Sequence, residues 1–303
     1  MHNSTAPGKQ LGADAVLVLV TFFWGLTFVL VKDAIQVVDV FAFLGQRFTF
    51  AAVFMLPFLM GRIQGVSRRV LARGALLGVF LFGAFALQTL GLLFTSASNA
   101  AFVTGLNVIF VPVLGGLFFG RVVPWRIRFS VVLATVGLFL LTTGGRLTCN
   151  QGDVLVVGCA VCIALHILLT GRYAAKEDVY WLTCIQLGVV GLLSSATGWI
   201  RGTEVFFWEP GIVWALLICI FFASIFAFAA QTAMQRFTTP TRTALIFCME
   251  PVFGAVFAGF LAGERIGLVG YSGAAVILCA MILAELPGQW GRRTRIEAGL
   301  NRK

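Results

Sequence analysis

The residues able to do chemistry in this chain are few, and most lie inside apolar stretches. Glu250, followed by Pro251, and Asn107 each sit near the middle of one such stretch. Gln88, Gln231, His166 and Arg47 (beside Gln46) lie in others, and Trp24 is one helical turn from Thr27 and Phe28. Polar groups at such depth are costly and tend to face a cavity or a partner. Together they suit reversible binding of a small amphipathic molecule, with Trp24 and phenylalanines holding an apolar body and Gln88, Asn107, Gln231 and Glu250 orienting a polar end. A desolvated carboxylate such as Glu250 can also gain a proton in one conformation. Plainer roles stand beside these. Arg47 and Glu250 can pair as structural charges or bind exposed carbonyls. The glutamines can be interhelical hydrogen-bond glue, His166 a satisfied polar residue, and Trp24 bundle bulk.

Catalytic constellations are missing from the sequence. There is no H-E-x-x-H, no G-x-S-x-G and no G-x-x-x-x-G-K-[ST], and the two histidines, His2 and His166, are far apart. Cys159-x-x-Cys162 has no second pair and reads as small buried apolar residues. No catalytic residue, metal or cofactor is expected, and ATP hydrolysis by this chain is not.

The elements that must position these residues follow from composition. Of 303 residues, 59% are hydrophobic and 11% charged, where soluble domains carry roughly 25% charged residues. This excludes a water-soluble globular fold, a disordered chain and a disulfide scaffold. A helix needs roughly 20 apolar residues to cross a bilayer, and ten such stretches occur, at 13–31, 40–60, 74–94, 98–119, 126–143, 154–171, 180–200, 211–235, 242–263 and 268–286. Runs such as Val16–Val20 and Ile277–Ala284 are apolar on every side, which argues for helices and against a barrel of alternating strands. The first stretch is read as a retained helix, since no small-x-small cleavage site ends it.

Basic residues set the expected orientation. With the N-terminus inside, the inner set is Lys9, Arg62, Arg68, Arg69, Arg73, Arg121, Arg126, Arg128, Arg172, Lys176, Arg236, Arg242, Arg292, Arg293, Arg295, Arg302 and Lys303. Lys32, Arg146, Arg201 and Arg265 fall outside. This asymmetry places both termini in the cytoplasm. The net charge of +10 is then a matter of anionic lipid, not of nucleic acid. Trp125, Trp181, Trp199, Trp208, Trp214 and Trp290 fall near span ends, as an interfacial belt requires, and Trp24 is the exception.

The chain also repeats itself. Phe85–Leu141 lies on Phe228–Ala284 without gaps at a shift of 143, with twelve of 57 positions identical, and Asp14-Ala-Val-Leu matches Asp153-Val-Leu-Val at a shift of 139. Asn107 and Glu250 are mates, as are Gln88 and Gln231, and Thr27 and His166. Gly116-x-x-x-Gly120 falls on Gly259-x-x-x-Gly263, spacing that permits close helix packing. Five spans are an odd number, so the second copy enters the membrane from the opposite side. The expected fold is an all-α membrane protein of ten transmembrane helices in two inverted-topology five-helix repeats. Its expected parts are an N-terminal segment at 1–12, repeats at 13–143 and 154–286, and a basic tail at 287–303.

Several motifs are similar to a known family. Phe94-Thr-Ser-Ala-Ser-Asn-Ala-Ala-Phe followed by Val111-Pro-Val-Leu resembles the third and fourth spans of the EamA-like branch of the drug/metabolite transporter superfamily. Met249-Glu-Pro through Gly263-Glu-Arg265 resembles its ninth span, Gln46-Arg-Phe its second and Trp24-Gly-Leu-Thr-Phe its first. The likeness covers about 13–286. It implies ten spans, cytoplasmic termini, and export of amino acids, related metabolites or toxic compounds across a bacterial inner membrane. Arg121 departs from the pattern, standing where the first repeat often carries an acid.

The expected function is secondary transport by alternating access, with a small-molecule substrate and protons as partners, in a monomer or homodimer. Two rivals remain open: a membrane enzyme on lipid-linked substrates, and a non-transporting sensor or partner subunit.

Overall fold

The computed structural model of the protein describes residues 7–62, 66–95, 97–144, 150–204, 206–262 and 267–285. The helices are α1 (Pro7–Ala34), α2 (Val40–Leu59), α3 (Arg68–Leu92), α4 (Ala97–Gly105), α5 (Asn107–Phe119), α6 (Trp125–Thr143) and α7 (Gln151–Tyr173), then α8 (Val179–Ile200), α9 (Val213–Ile220), α10 (Ala227–Met234), α11 (Pro240–Phe247), α12 (Met249–Ala262) and α13 (Leu268–Glu285). Among the described residues, nine spans are long and apolar enough to cross a bilayer. A tenth, Leu268–Ala284, is apolar but shorter. The tail at 287–303 and Gly263 lie outside the described residues, as do residues 1–6.

Three expected spans are interrupted. The fourth is α4 plus α5 and the ninth is α11 plus α12, with one-residue breaks at Leu106 and Cys248. Backbone bonds tighten at both places, Leu106 N–H to the Val103 carbonyl (3.2 Å) and Cys248 N–H to the Leu245 carbonyl (3.1 Å). Pro251 explains the second break, since a ring nitrogen cannot donate to the carbonyl four residues back. Gly105 and the Asn107 amide, which donates to the Thr104 carbonyl at 2.9 Å, act at the first. The eighth span runs α9, then a wide π-helical turn at Phe221–Phe226, then α10.

Side-chain ties sort the connections into two faces. On the terminal face, where α1 begins, Arg62 pairs with Asp178 at 3.2 Å and Arg73 with Glu177. Arg242 lies 3.9 Å from Asp14, and Arg242 and Arg126 both donate to the Ala284 carbonyl. On the distal face, Thr95 at the end of α3 donates to Asp153 at the start of α7 (2.5 Å). Thus α1 starts on one face and its repeat mate α7 on the other. The capping repeats too: Asp39 accepts from the N–H groups two and three residues on, and so does Asp178, its mate at a shift of 139.

Helix α2 packs on α8, α3 on α7 and α8, α6 on α13 and α1 on α12. Glycines make these approaches possible, but not the expected ones. A Cβ on Gly116 would meet nothing closer than the Arg121 carbonyl at 3.7 Å, and Gly120 (φ +59°) ends α5 in the left-handed conformation with no atom within 4 Å. The packing role expected of Gly116 and Gly120 is therefore not what these two do; Gly120 caps α5, and Gly259 lies within α12. The close approaches fall at other glycines: a Cβ added to Gly25 would sit 2.6 Å from Phe253 Cβ of α12, one on Gly45 2.6 Å from Ser195 Oγ of α8, and one on Gly273 2.6 Å from the Gly137 carbonyl. Leu117, Phe118, Phe260 and Leu268 are among many large apolar side chains left on the outside, a surface suited to lipid.

Gly273→Leu is expected to destabilise the fold by about 1–3 kcal/mol through overpacking, lowering the melting temperature of detergent-solubilised protein by several degrees. Gly116→Ala should leave it within a degree or two. Equal melting shifts for the two would contradict this packing.

Candidate functional site

A cavity of about 350 Å³ opens at the distal face and falls in the size range of small-molecule sites. Its mouth is lined by Val31, Ile35, Gln36 and Thr95, and deeper wall positions include Thr27, Leu81, Thr89 and Gln88. Trp24, Arg47, Asn107, His166, Gln231 and Glu250 also line it. The cavity therefore brings together seven of the eight expected binding residues. Phe28 lies on α1, but its side chain is outside the described residues.

The two broken spans supply the polar ends. Asn107 opens α5 and Glu250 stands in the first turn of α12. Both are placed by repeat-related breaks, and a half-helix N-terminus at depth favours an anionic group there. Glu250 is half-buried and, among the described residues, forms no hydrogen bond or ion pair within normal reach. The Asn107 Oδ1 and Gln231 Oε1 atoms are buried acceptors without a partner among the described residues.

Their orientations are fixed by their neighbours. The Asn107 amide must turn its NH₂ to the Thr104 carbonyl. Gln235 must turn its NH₂ to the Ile167 carbonyl (3.3 Å), so its oxygen faces Gln231 Nε2 at 3.4 Å, and Gln231 Oε1 is left over.

The walls are aromatic. Trp24 stands edge-on to Phe247, with centroids 5.0 Å apart, and beside Phe228 at 5.5 Å. Phe48 and Phe85 pack at 5.0 Å. Both rings also lie near the Arg47 guanidinium, at 4.9 and 5.5 Å.

Arg47 is buried and does not pair with Glu250. Its Nε donates to Ser224 Oγ at 2.8 Å and an NH₂ group to the Ala223 carbonyl at 3.3 Å. Trp24 Nε1 donates to the same carbonyl at 3.0 Å. Both acceptors lie in the π-helical turn, where the regular bonding pattern is relaxed and a carbonyl becomes available. Of the two roles left open for Arg47, the geometry selects carbonyl binding.

The terminal side is shut. His166 Nε2 lies 2.8 Å from Gln186 Oε1, and Gln186 Nε2 donates to Thr232 Oγ1 at 3.3 Å. Below this layer Gln235, just past the end of α10, donates to the Ile167 carbonyl of α7, and Leu168, Val111 and Leu245 pack in an apolar core. Here α11 packs on α5, whereas the mate elements α4 and α12 make no comparable contact on the distal side. That asymmetry is the opening. Gln186, Thr232, Gln235 and Ser224 were not among the residues singled out from sequence. The signal was available for Gln186, since the shift of 139 that maps His166 onto Thr27 also maps it onto Arg47.

Comparison with known proteins completes the picture. The model of the EamA-like transporter family matches residues 11–143 and again 150–286. The chain belongs to the EamA-like transporter family. An uncharacterized transporter of Archaeoglobus fulgidus is 33% identical over 278 residues, covering 92% of this chain and 87% of that protein. The uncharacterized transporter YyaM of Bacillus subtilis is 25% identical over 296 residues, covering 91% and 94%. A solved crystal structure superposes with a TM-score of 0.77 at 14% identity, covering 90% of this chain and 96% of that one, a likeness of fold. The EamA-like chain is thus an integral membrane transporter, not an enzyme. Among the described residues no cluster of His, Cys, Asp or Glu could hold a metal, and the described cysteines, Cys159 and Cys162 included, are free thiols.

Gln235→Leu is expected to cost about 1–3 kcal/mol, because the Ile167 carbonyl and the Gln231 amide would lose their partner in a dry layer. Thermal melting of the purified variant measures this. An unchanged melting temperature would show that the Gln235 bonds do not hold the terminal side.

Proposed function

We propose that the EamA-like chain is a secondary transporter that moves a small amphipathic metabolite, an amino acid or a related compound, outward by alternating access between its two repeats. One observation carries the reading: a polar-ended, aromatic-walled chamber runs from one face to the repeat-related helix breaks, and is sealed beyond them. An inverted repeat has a second conformation available in which the same chamber faces the other way. The cargo's apolar body lies against Trp24, Phe228 and Phe247. Its polar end is a hydrogen-bond donor, because Glu250, Asn107 Oδ1 and Gln231 Oε1 are acceptors without a partner among the described residues. With both termini in the cytoplasm of a bacterial inner membrane, the distal mouth faces outward. Protons are the coupling ion and Glu250 is the group that carries them. The chain works as a monomer or homodimer in the bilayer.

The first test is flux of metabolites that accumulate in cells lacking the protein, measured in liposomes containing the purified chain. Uptake or release above protein-free vesicles is expected, and its absence for every accumulating compound would overturn the reading. Trp24→Ala and Asn107→Ala should each weaken binding of the transported compound at least several-fold in protein that still folds; Trp24→Ala also lowers the melting temperature, because its ring packs on Phe228 and Phe247. For coupling, Glu250→Gln should exchange cargo at equal pH on both sides yet lose acceleration by an imposed pH gradient. Unchanged gradient dependence would remove Glu250 from that role.

A further inference from the structure

The terminal side is held shut by a three-residue chain, His166–Gln186–Thr232, linking α7, α8 and α10. Each member has a repeat mate. The shift of 139 takes His166 to Thr27 and Gln186 to Arg47, and the shift of 143 takes Thr232 to Thr89. The alignment holds in three dimensions at α8 and α2, where Asp178 and Asp39 cap the two helix starts in the same way. Thr27, Arg47 and Thr89 all line the open cavity. In the structure they are not joined: the Thr27 hydroxyl donates to the Trp24 carbonyl, the Thr89 hydroxyl to the Phe85 carbonyl, and Arg47 reaches instead to Ser224 and Ala223. The supporting helices differ in the same sense, since α8 packs on α10 whereas α2 and α3 make no comparable contact.

We propose that Arg47 is the latch of the distal gate, bridging the Thr27 and Thr89 hydroxyls when the chamber closes on that side, and parked on the Ala223 carbonyl and Ser224 of the π-helical turn when it is open. The proposal rests on the alternating-access reading above. The chemistry fits both positions. A guanidinium carries five N–H donors, and both threonine oxygens keep acceptor capacity while they donate to their own helix. The parking place exists only in the second repeat: the mates of Phe221–Phe226 are residues 78–83, within the regular helix α3. Arg47 therefore has two alternative sets of acceptors, whereas its mate Gln186 has the terminal set. Replacing a latch on one side shifts the equilibrium between the two forms towards closure of the other.

The test needs no cargo. Spin labels at Gln36→Cys, on the cavity lining beyond α1, and Leu93→Cys, exposed at the distal end of α3, report the α1–α3 separation beside the mouth by pulsed electron paramagnetic resonance in nanodiscs, with the native cysteines replaced and melting checked. The parent should show mainly the long distance. Gln186→Leu, which breaks the terminal latch, should raise the short-distance population about tenfold, the size of a typical coupling. Adding Arg47→Met should abolish that rise, and Arg47→Gln, the mate's own residue, should restore most of it. A short-distance population that persists in the Arg47→Met double variant would overturn the latch, and so would a Gln186→Leu variant that stays open. Loss of flux in liposomes with the distances behaving as described would count against the transport reading and leave the latch standing.

Discussion

A backbone carbonyl released at membrane depth must find a donor inside the protein, because lipid offers none. Three interruptions in otherwise continuous spans release such groups here, and the site is built around them. At Leu106 the Asn107 amide turns back to the Thr104 carbonyl and leaves its own oxygen unpaired. At Cys248, Pro251 cannot complete the ladder and Glu250 stands in the first turn of the new helix. At Phe221–Phe226 the Ala223 carbonyl accepts from both Trp24 and Arg47. The polar residues of the chamber are therefore consequences of broken helices, and the breaks recur because the sequence is duplicated.

This explains how much could be read from the chain alone. The ten spans, the duplication and its inversion are properties of long apolar runs and of a constant alignment shift, and both survive as helices and faces. The depth of Glu250, Asn107, Gln88 and Gln231 follows from their position within those runs, so their meeting in one cavity was legible. The π-helical turn was not. Nothing in Phe-Phe-Ala-Ser-Ile-Phe distinguishes it from the regular helix of its mate segment, and only the approach of Trp24 and Arg47 from other helices reveals the carbonyl it frees. The glycines misled for a related reason. A G-x-x-x-G spacing states that two helices are able to approach, while which glycine faces a neighbour depends on rotation about the helix axis. Gly25, Gly45 and Gly273 face one; Gly116 and Gly120 do not.

The difference between the two sides of the molecule is the most informative departure from symmetry. One copy of the polar layer is joined and its neighbours are dry; the other is separated, and its members face the opening. The substitution of Arg47 for the glutamine of its mate gives the open side a charged, many-donor residue where the closed side has an amide. The two gates thus differ in chemistry even though they share an architecture.

The central claim is that one chamber is reached from either side of the membrane in turn. It is tested most directly by labelling single cysteines at Thr89, Thr232 and Asn107 with an impermeant thiol reagent applied to each side of sealed vesicles, on a background of replaced native cysteines. Thr89→Cys is expected to react from the distal side, Thr232→Cys from the terminal side and Asn107→Cys from both. Reaction of Asn107→Cys from one side alone, or from neither, would contradict the claim.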